Sequence, residues 1–116
     1  MKYVDGFVLA VPKANIEAYK KIAADAAKLW KEYGAIDYVE AMGDDVPDGK
    51  LTSFPLAVKA TADEVVFFSW ITFASREERD RINKRVMEDP RMKMDPASNP
   101  FDMKRMIFGG FVPVVQ

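Results

Sequence analysis

Glu64-Val65-Val66-Phe67-Phe68-Ser69-Trp70-Ile71-Thr72-Phe73 carries large apolar side chains at odd and even positions alike. Its β-branched and aromatic content predicts a strand. Successive side chains of a strand point to opposite faces, and a sheet with one wetted face alternates apolar and polar residues. This segment does not alternate, so both faces of its sheet are expected to be covered. Directly after it, Ser75-Arg76-Glu77-Glu78 has the capping-box spacing, which predicts a helix from Ser75 to near Asp89, before Pro90. Directly before it, residues 50–63 give no clear element, and Pro55 weakens any strand there.

Further out, residues 35–42 read as a strand and Gly43-Asp44-Asp45-Val46-Pro47-Asp48-Gly49 as a loop. Residues 15–33 switch to a helical period, with Ile16, Tyr19, Ala23, Ala26, Trp30 and Tyr33 on one face. The opposite face carries Glu17, Lys21, Asp25, Lys28 and Glu32 in alternating sign, as a solvated helix face should. Asn15 suits the N-cap and Gly34 the position just past the helix end. Residues 3–11 read as a strand ending at Pro12, with Phe7 and Leu9 on one face and Val8 and Ala10 on the other. Residues 91–102, with Pro96 and Pro100, read as a long loop, and residues 106–115 as the last strand. Gly109-Gly110 inside that strand predicts a bulge or the close approach of another group. The order is β-α-β-β-α-β, which predicts a ferredoxin-like α+β fold with both helices on one face of an antiparallel sheet.

The other face of such a sheet needs a cover, because an exposed surface this apolar exceeds what monomers tolerate. A second copy placed by a two-fold axis is the natural one, so a homodimer with facing sheets is expected. The alternative is that segments 43–63 and 90–104 fold across the face.

The 116 residues suit a single domain over 1–116, with 49% hydrophobic and 30% charged residues. Lys+Arg number 17 and Asp+Glu 18. The net charge of -1 lacks the basic surplus of a nucleic-acid surface. With Cys 0 and His 0 there is no disulfide, no thiolate or imidazole metal ligand and no Ser-His nucleophile. Asp5 and Gly6 interrupt any leader-like apolar run, and no run reaches membrane-span length, so a cytosolic protein without a membrane partner is expected.

Tyr3-Val4-Asp5-Gly6-Phe7, Asn15 with Glu17-Ala18-Tyr19, Tyr38-Val39-Glu40, Gly43-Asp44-Asp45-Val46-Pro47, Phe68-Ser69-Trp70-Ile71, Ser75-Arg76-Glu77-Glu78-Arg79-Asp80 and Phe108-Gly109-Gly110-Phe111 run through nearly the whole chain. In these segments the sequence resembles the YbaA-like family of small bacterial proteins, a family of unknown function. The resemblance implies a branch of the dimeric α+β barrel superfamily, with a pocket between sheet and helices or inside the barrel. Relatives in that superfamily include cofactor-independent monooxygenases, haem-degrading enzymes and small isomerases, and the haem branch uses an axial His that this chain lacks. A name carried by some relatives points to signal-recognition-particle RNA. No RNP-type strand motif or arginine-rich arm supports it here.

Acid-base chemistry by carboxylates and phenols, or binding alone, is what remains. Asp5, in an apolar strand, is a candidate base, because burial raises a carboxylate's proton affinity in general. Its alternative is an ion pair with a Lys or Arg. Tyr38 and Glu40 share a strand face by period two and are candidates for the same chemistry, or for an edge-strand surface. Phe7, Phe68, Ser69 and Trp70 are candidate ligand contacts, with core packing as the alternative for Trp70. Asp44, Asp45 and Asp48 do not fit calcium-loop spacing and read as a turn. Met87, Met92-Lys93-Met94 and Met103 read as flexible packing rather than a copper site. No metal and no cofactor are expected. The leading expectation is a homodimer binding a small, mostly apolar molecule in the barrel. The competing ones are a cofactor-independent oxygenase or isomerase using Asp5, Tyr38 or Glu40, and a fully packed interaction protein without a cavity.

Overall fold

β1 (Tyr3–Pro12) and β3 (Glu64–Phe73) are the two long strands, and they pair antiparallel along their whole length, from Tyr3 opposite Phe73 to Pro12 opposite Glu64. In the computed structural model, which describes residues 1–92 and 99–116, β2 (Asp37–Met42) adds to the free side of β3 and β4 (Ile107–Phe111) to the free side of β1. The sheet order β2-β3-β1-β4 and the helices α1 (Ile16–Glu32) and α3 (Arg76–Glu88) complete the ferredoxin-like arrangement. A short helix α2 (Phe54–Ala57) lies between β2 and β3. No helix among the described residues is long and apolar enough to cross a membrane. Pro96, Lys93 and Met94 lie outside the described residues.

The register sorts the side chains of the central strands. Tyr3, Asp5, Phe7, Leu9 and Val11 share a face with Phe67, Ser69, Ile71 and Phe73, and this face meets the helices. Leu29 and Trp30 of α1 pack with Ile82 and Val86 of α3 over Ile71 and Phe73. Tyr19 and Ala23 pack over Leu9, Val11 and Phe67. Each such burial contributes roughly 1.5–3 kcal/mol for a large aliphatic or aromatic side chain. The five charged residues predicted for the outer face of α1 are all exposed. Ser75 caps α3 by accepting a hydrogen bond from the Glu78 N–H at 3.1 Å. Asn15 stands at the N-cap of α1 but does not cap it with its side chain; its amide donates to the Pro100 carbonyl at 2.9 Å and ties the segment before β4 to the start of α1. At the other end of α1, Gly34 takes φ +120, a backbone that side-chain-bearing residues avoid. Tyr33 then donates to Asp89 at 2.7 Å, and Arg91 bridges Asp89 and Glu32, so the C-terminal ends of the two long helices are latched together.

Two strand boundaries need correction, and the cover of the sheet falls between the two expectations. The last strand stops at Phe111 instead of 115, because it pairs only with Val4 to Val8 of β1, and Pro113 has no N–H to extend a ladder. The second strand begins at Asp37 instead of Ala35, whose N–H is engaged by the Trp30 carbonyl at the end of α1. Part of segment 43–63 does fold across the face away from α1 and α3: Val58 is fully buried against Val8, Ala10 and Val66, and Phe54 stands edge-on to Phe68 with ring centroids 5.8 Å apart. Only one end of that face is covered. Phe68 (44% exposed), Ile107 (45%) and Phe111 (61%) remain open at the other. The segment preceding β4 lies on the helix side instead, where Phe101 and Met106 pack against Tyr19 and its neighbours.

The close approach predicted at Gly109-Gly110 is real at Gly110. A Cβ there would overlap the Tyr3 hydroxyl and the Arg79 guanidinium, which are themselves hydrogen-bonded at 2.9 Å. Gly110→Ala is expected to destabilise the protein by about 1–3 kcal/mol, as overpacking does. Urea unfolding monitored by circular dichroism checks this.

Candidate functional site

Register places the candidate residues in rows across the helix-facing side of the sheet. One row runs Tyr38, Ile71, Asp5, Gly110, and the next runs Glu40, Ser69, Phe7, Phe108. Neighbouring strands lie roughly 4.8 Å apart, so these eight positions form one continuous floor. Ser69, buried at its centre between Phe7 and Glu40, has a side chain too small to fill the space above it. The roof comes from α1, through Tyr19, Ile22, Ala23, Ala26 and Trp30, and from α3, through Arg79, Asn83 and Met87. Met92, Asn99, Phe101, Met103 and Met106 close the side. Between them is a cavity of about 460 Å³. Its walls are mostly apolar, and apart from Asn99 its polar side chains fall into two clusters.

The first cluster is built around Glu40. Tyr19 donates its hydroxyl to Oε1 at 2.9 Å, and Tyr38 donates to Oε2 at 3.1 Å. Burial raises the Glu40 pKa above the usual carboxylate range, partly offset by these donated protons. Burial, then the Glu40 charge, raises both tyrosines well above their ordinary value, so they stay protonated donors. The second cluster is built around Asp5. Asn83 Nδ2 donates to Asp5 Oδ2 at 3.1 Å, and Trp30 Nε1 donates to Asn83 Oδ1 at 2.9 Å. Arg79 Nε lies 3.3 Å from Asp5 Oδ1, as an ion pair without hydrogen-bond alignment. Asp5 therefore has the cationic partner that was its alternative reading.

The candidate residues are thus divided by the sheet. Asp5, Phe7, Tyr38, Glu40 and Ser69 line the cavity, and Tyr38 and Glu40 are joined directly. Phe68 and Trp70 face the opposite side, 5.7 Å apart between ring centroids, and line a separate open groove of about 470 Å³ with Val4, Gly6, Val8, Ile107 and Phe111. Alternation along β3 makes this separation unavoidable. Sequence reasoning missed Tyr19, Arg79 and Asn83. Tyr19 was assigned to the apolar stripe of the helix; the available signal was its hydroxyl, which needs a partner when buried. Arg79 and Asn83 gave no local signal, since they meet the floor only through helix packing.

The cavity's side wall is held by an ion pair. Arg105 donates both terminal nitrogens to Glu64, at 2.9 and 2.7 Å, and one of them also to the Lys59 carbonyl at 2.8 Å. This anchors the turn Met103–Arg105 to the start of β3. Hydrogen bonding by Arg105 pulls the Glu64 carboxyl down to about 2 from its ordinary 4.5.

These features define a ferredoxin-like α+β protein with a cavity between its sheet and its helices. The chain belongs to the family described as Protein of unknown function (DUF1428), whose sequence profile matches residues 2–103. It is 56% identical over 115 residues to the uncharacterized protein YbaA of Escherichia coli (strain K12), covering 99% of this chain and 98% of that protein. YbaA of Shigella flexneri gives the same values. The family resemblance read from the sequence segments is thereby established. Among solved structures, a dimeric ferredoxin-like protein from an uncultured marine organism superposes with a TM-score of 0.59 over 100% of this chain and 99% of that one, at 11% identity. At that identity the likeness shows the fold.

Two pH dependences follow. A carboxylate whose pKa is lowered by folding contributes stability above its unfolded pKa and loses it as pH falls through the folded one. For Glu64 that window runs from about 4.5 down to about 2. Glu64→Gln is expected to lower the melting temperature at neutral pH and to flatten the wild-type decline in this acid window, checked by scanning calorimetry. Glu40 has the opposite sign, because its pKa is raised. It contributes most when protonated and loses that contribution as pH rises. Glu40→Gln is therefore expected to raise the melting temperature at neutral pH and to have little effect in acid, read from the same scans.

Proposed function

We propose that the protein is a cytosolic homodimer that binds a small, mostly apolar molecule in the cavity between sheet and helices. The observation that carries this reading is the cavity of about 460 Å³ with apolar walls and the Glu40 cluster set into them. Small-molecule sites combine such a volume with a few convergent polar groups. The cavity favours binding over a fully packed interaction role. The homodimer rests on the open end of the other sheet face, where Phe68, Trp70, Ile107 and Phe111 form an apolar groove. A second copy across a two-fold axis would cover it with the same surface. The fold relative from a marine organism is described as dimeric, which supports this assembly.

A second reading is proton transfer, as in a cofactor-independent isomerase or oxygenase. It is favoured by one observation: a half-buried carboxylate with raised proton affinity faces the cavity beside two phenols. In this reading Glu40, more than the ion-paired Asp5, is the base.

Native mass spectrometry on freshly purified protein tests the binding and assembly readings together. A dimer carrying an additional small organic mass is the expected result. A monomer at micromolar concentration would sink the assembly. Trp70→Lys, which puts a charge on the open face away from the cavity, is expected to shift the protein to monomer with unchanged circular dichroism. Identification of the bound molecule then separates the two functional readings, because Glu40→Gln should abolish turnover even at concentrations that fill the cavity if the protein is an enzyme.

A further inference from the structure

Resting on the reading of the cavity as a ligand site, we propose that its ligand carries a hydroxyl or amine proton and delivers it to the Glu40 cluster. The argument is an inventory of protons. An ionised carboxylate accepts at about four lone-pair sites and donates nothing. Two of those sites on Glu40 are taken by the hydroxyls of Tyr19 and Tyr38. Each phenol has a single proton, and both are spent on Glu40, which leaves the tyrosines only lone pairs toward the cavity. Ser69 stands directly opposite Glu40 in the sheet, and its hydroxyl favours the ionised carboxylate. Glu40 and its two tyrosines are therefore rich in acceptors and have no donor to offer.

The second polar cluster does not compete. Asp5 is matched by Arg79 and Asn83, Asn83 accepts from Trp30, and Arg79 also reaches Tyr3 and Asp80. Arg79 Nε has no hydrogen bond but lies 3.3 Å from Asp5 Oδ1, so the opposite charges of this cluster face each other. Placed against Glu40 and its tyrosines, a ligand carbonyl or carboxylate would be buried beside acceptors, which costs the desolvation of an unpaired group. A ligand O–H or N–H would find an ionised acceptor, the stronger kind of hydrogen bond. The rule this sets is one of specificity: apolar shape fills the cavity, and a single donor selects among molecules of that shape.

The probes are 2-naphthol, 2-methoxynaphthalene and 2-naphthoate, which share a ring system and differ in bringing a donor, only an acceptor, or an anion. Equilibrium dialysis at neutral pH measures each against the wild-type protein. 2-Naphthol is expected to bind about tenfold or more tightly than 2-methoxynaphthalene, the scale of a hydrogen bond to a charged group, and 2-naphthoate most weakly. In Glu40→Gln, which replaces an acceptor by a donor, the preference should fall to within about threefold while 2-methoxynaphthalene still binds. Tyr38→Phe, which frees a lone pair of Glu40, should retain it, and the wild-type comparison stands even if a variant folds poorly. Equal binding of 2-naphthol and 2-methoxynaphthalene overturns the donor rule and leaves the cavity as a ligand site. So does a preference for 2-naphthoate, or a preference for 2-naphthol that survives in Glu40→Gln. Failure of all three probes to bind overturns both the rule and the cavity reading beneath it.

Discussion

The antiparallel register of β1 against β3 is the constraint from which the molecule follows. It is unbroken from Tyr3 opposite Phe73 to Pro12 opposite Glu64, and a slip of one residue would send every side chain to the other face. With this register, Asp5, Phe7 and Ser69 look toward the helices, and Phe68 and Trp70 look away. β2 and β4 then extend the same rows outward, which is how Tyr38 and Glu40 from one edge come to share a floor with Phe108 and Gly110 from the other. The cavity is a consequence of what stands in those rows. Ser69 is small between Phe7 and Glu40, and the cavity lies over it, whereas the room above Gly110 is taken by Tyr3 and Arg79.

The two faces of the sheet settle their apolar surface by different means. On the helix side, α1 and α3 supply Leu29, Trp30, Ile82 and Val86, and the segment before β4 adds Phe101 and Met106. On the other side, Val58 and Ala60 pack against Val8, Ala10 and Val66, Phe54 stands against Phe68, and among the described residues the end near Trp70 stays open. The apolar groove left there, of about 470 Å³ and lined by Phe68, Trp70, Ile107 and Phe111, is the surface that the proposed second copy would cover.

Buried polar groups are costly unless paired, and nearly all of those in the cavity are paired with one another. Glu40 is served by two tyrosines, one from its own strand and one from α1. Asp5 is served by two residues of α3. Each cluster therefore also acts as a strut between sheet and helix, tying down the roof that it furnishes. The Glu64 and Arg105 pair does the same for the side wall, from outside the cavity.

The order of elements, the two-faced character of β3, the stripe of α1, the Ser75 cap and the close approach at the glycine pair were all legible in the sequence. Each depends on the period or chemistry of neighbouring residues, which a linear reading contains. The pairing of Tyr38 with Glu40 was legible for the same reason, since two residues apart on a strand means one face. The early end of β4 was not, because it depends on how much of β1 is left to pair with. Tyr19 against Glu40, Arg79 and Asn83 against Asp5, and Asn15 against Pro100 were also hidden. These partners lie 21 to 85 residues apart in the chain. They meet only because folding packs the helices onto the sheet and brings the segment before β4 to the start of α1. Sequence alone thus determined which surfaces had to be buried, since hydrophobic periodicity is local. Only the tertiary structure decided which polar groups were buried with them and where the cavity between them fell, because those depend on long-range packing geometry.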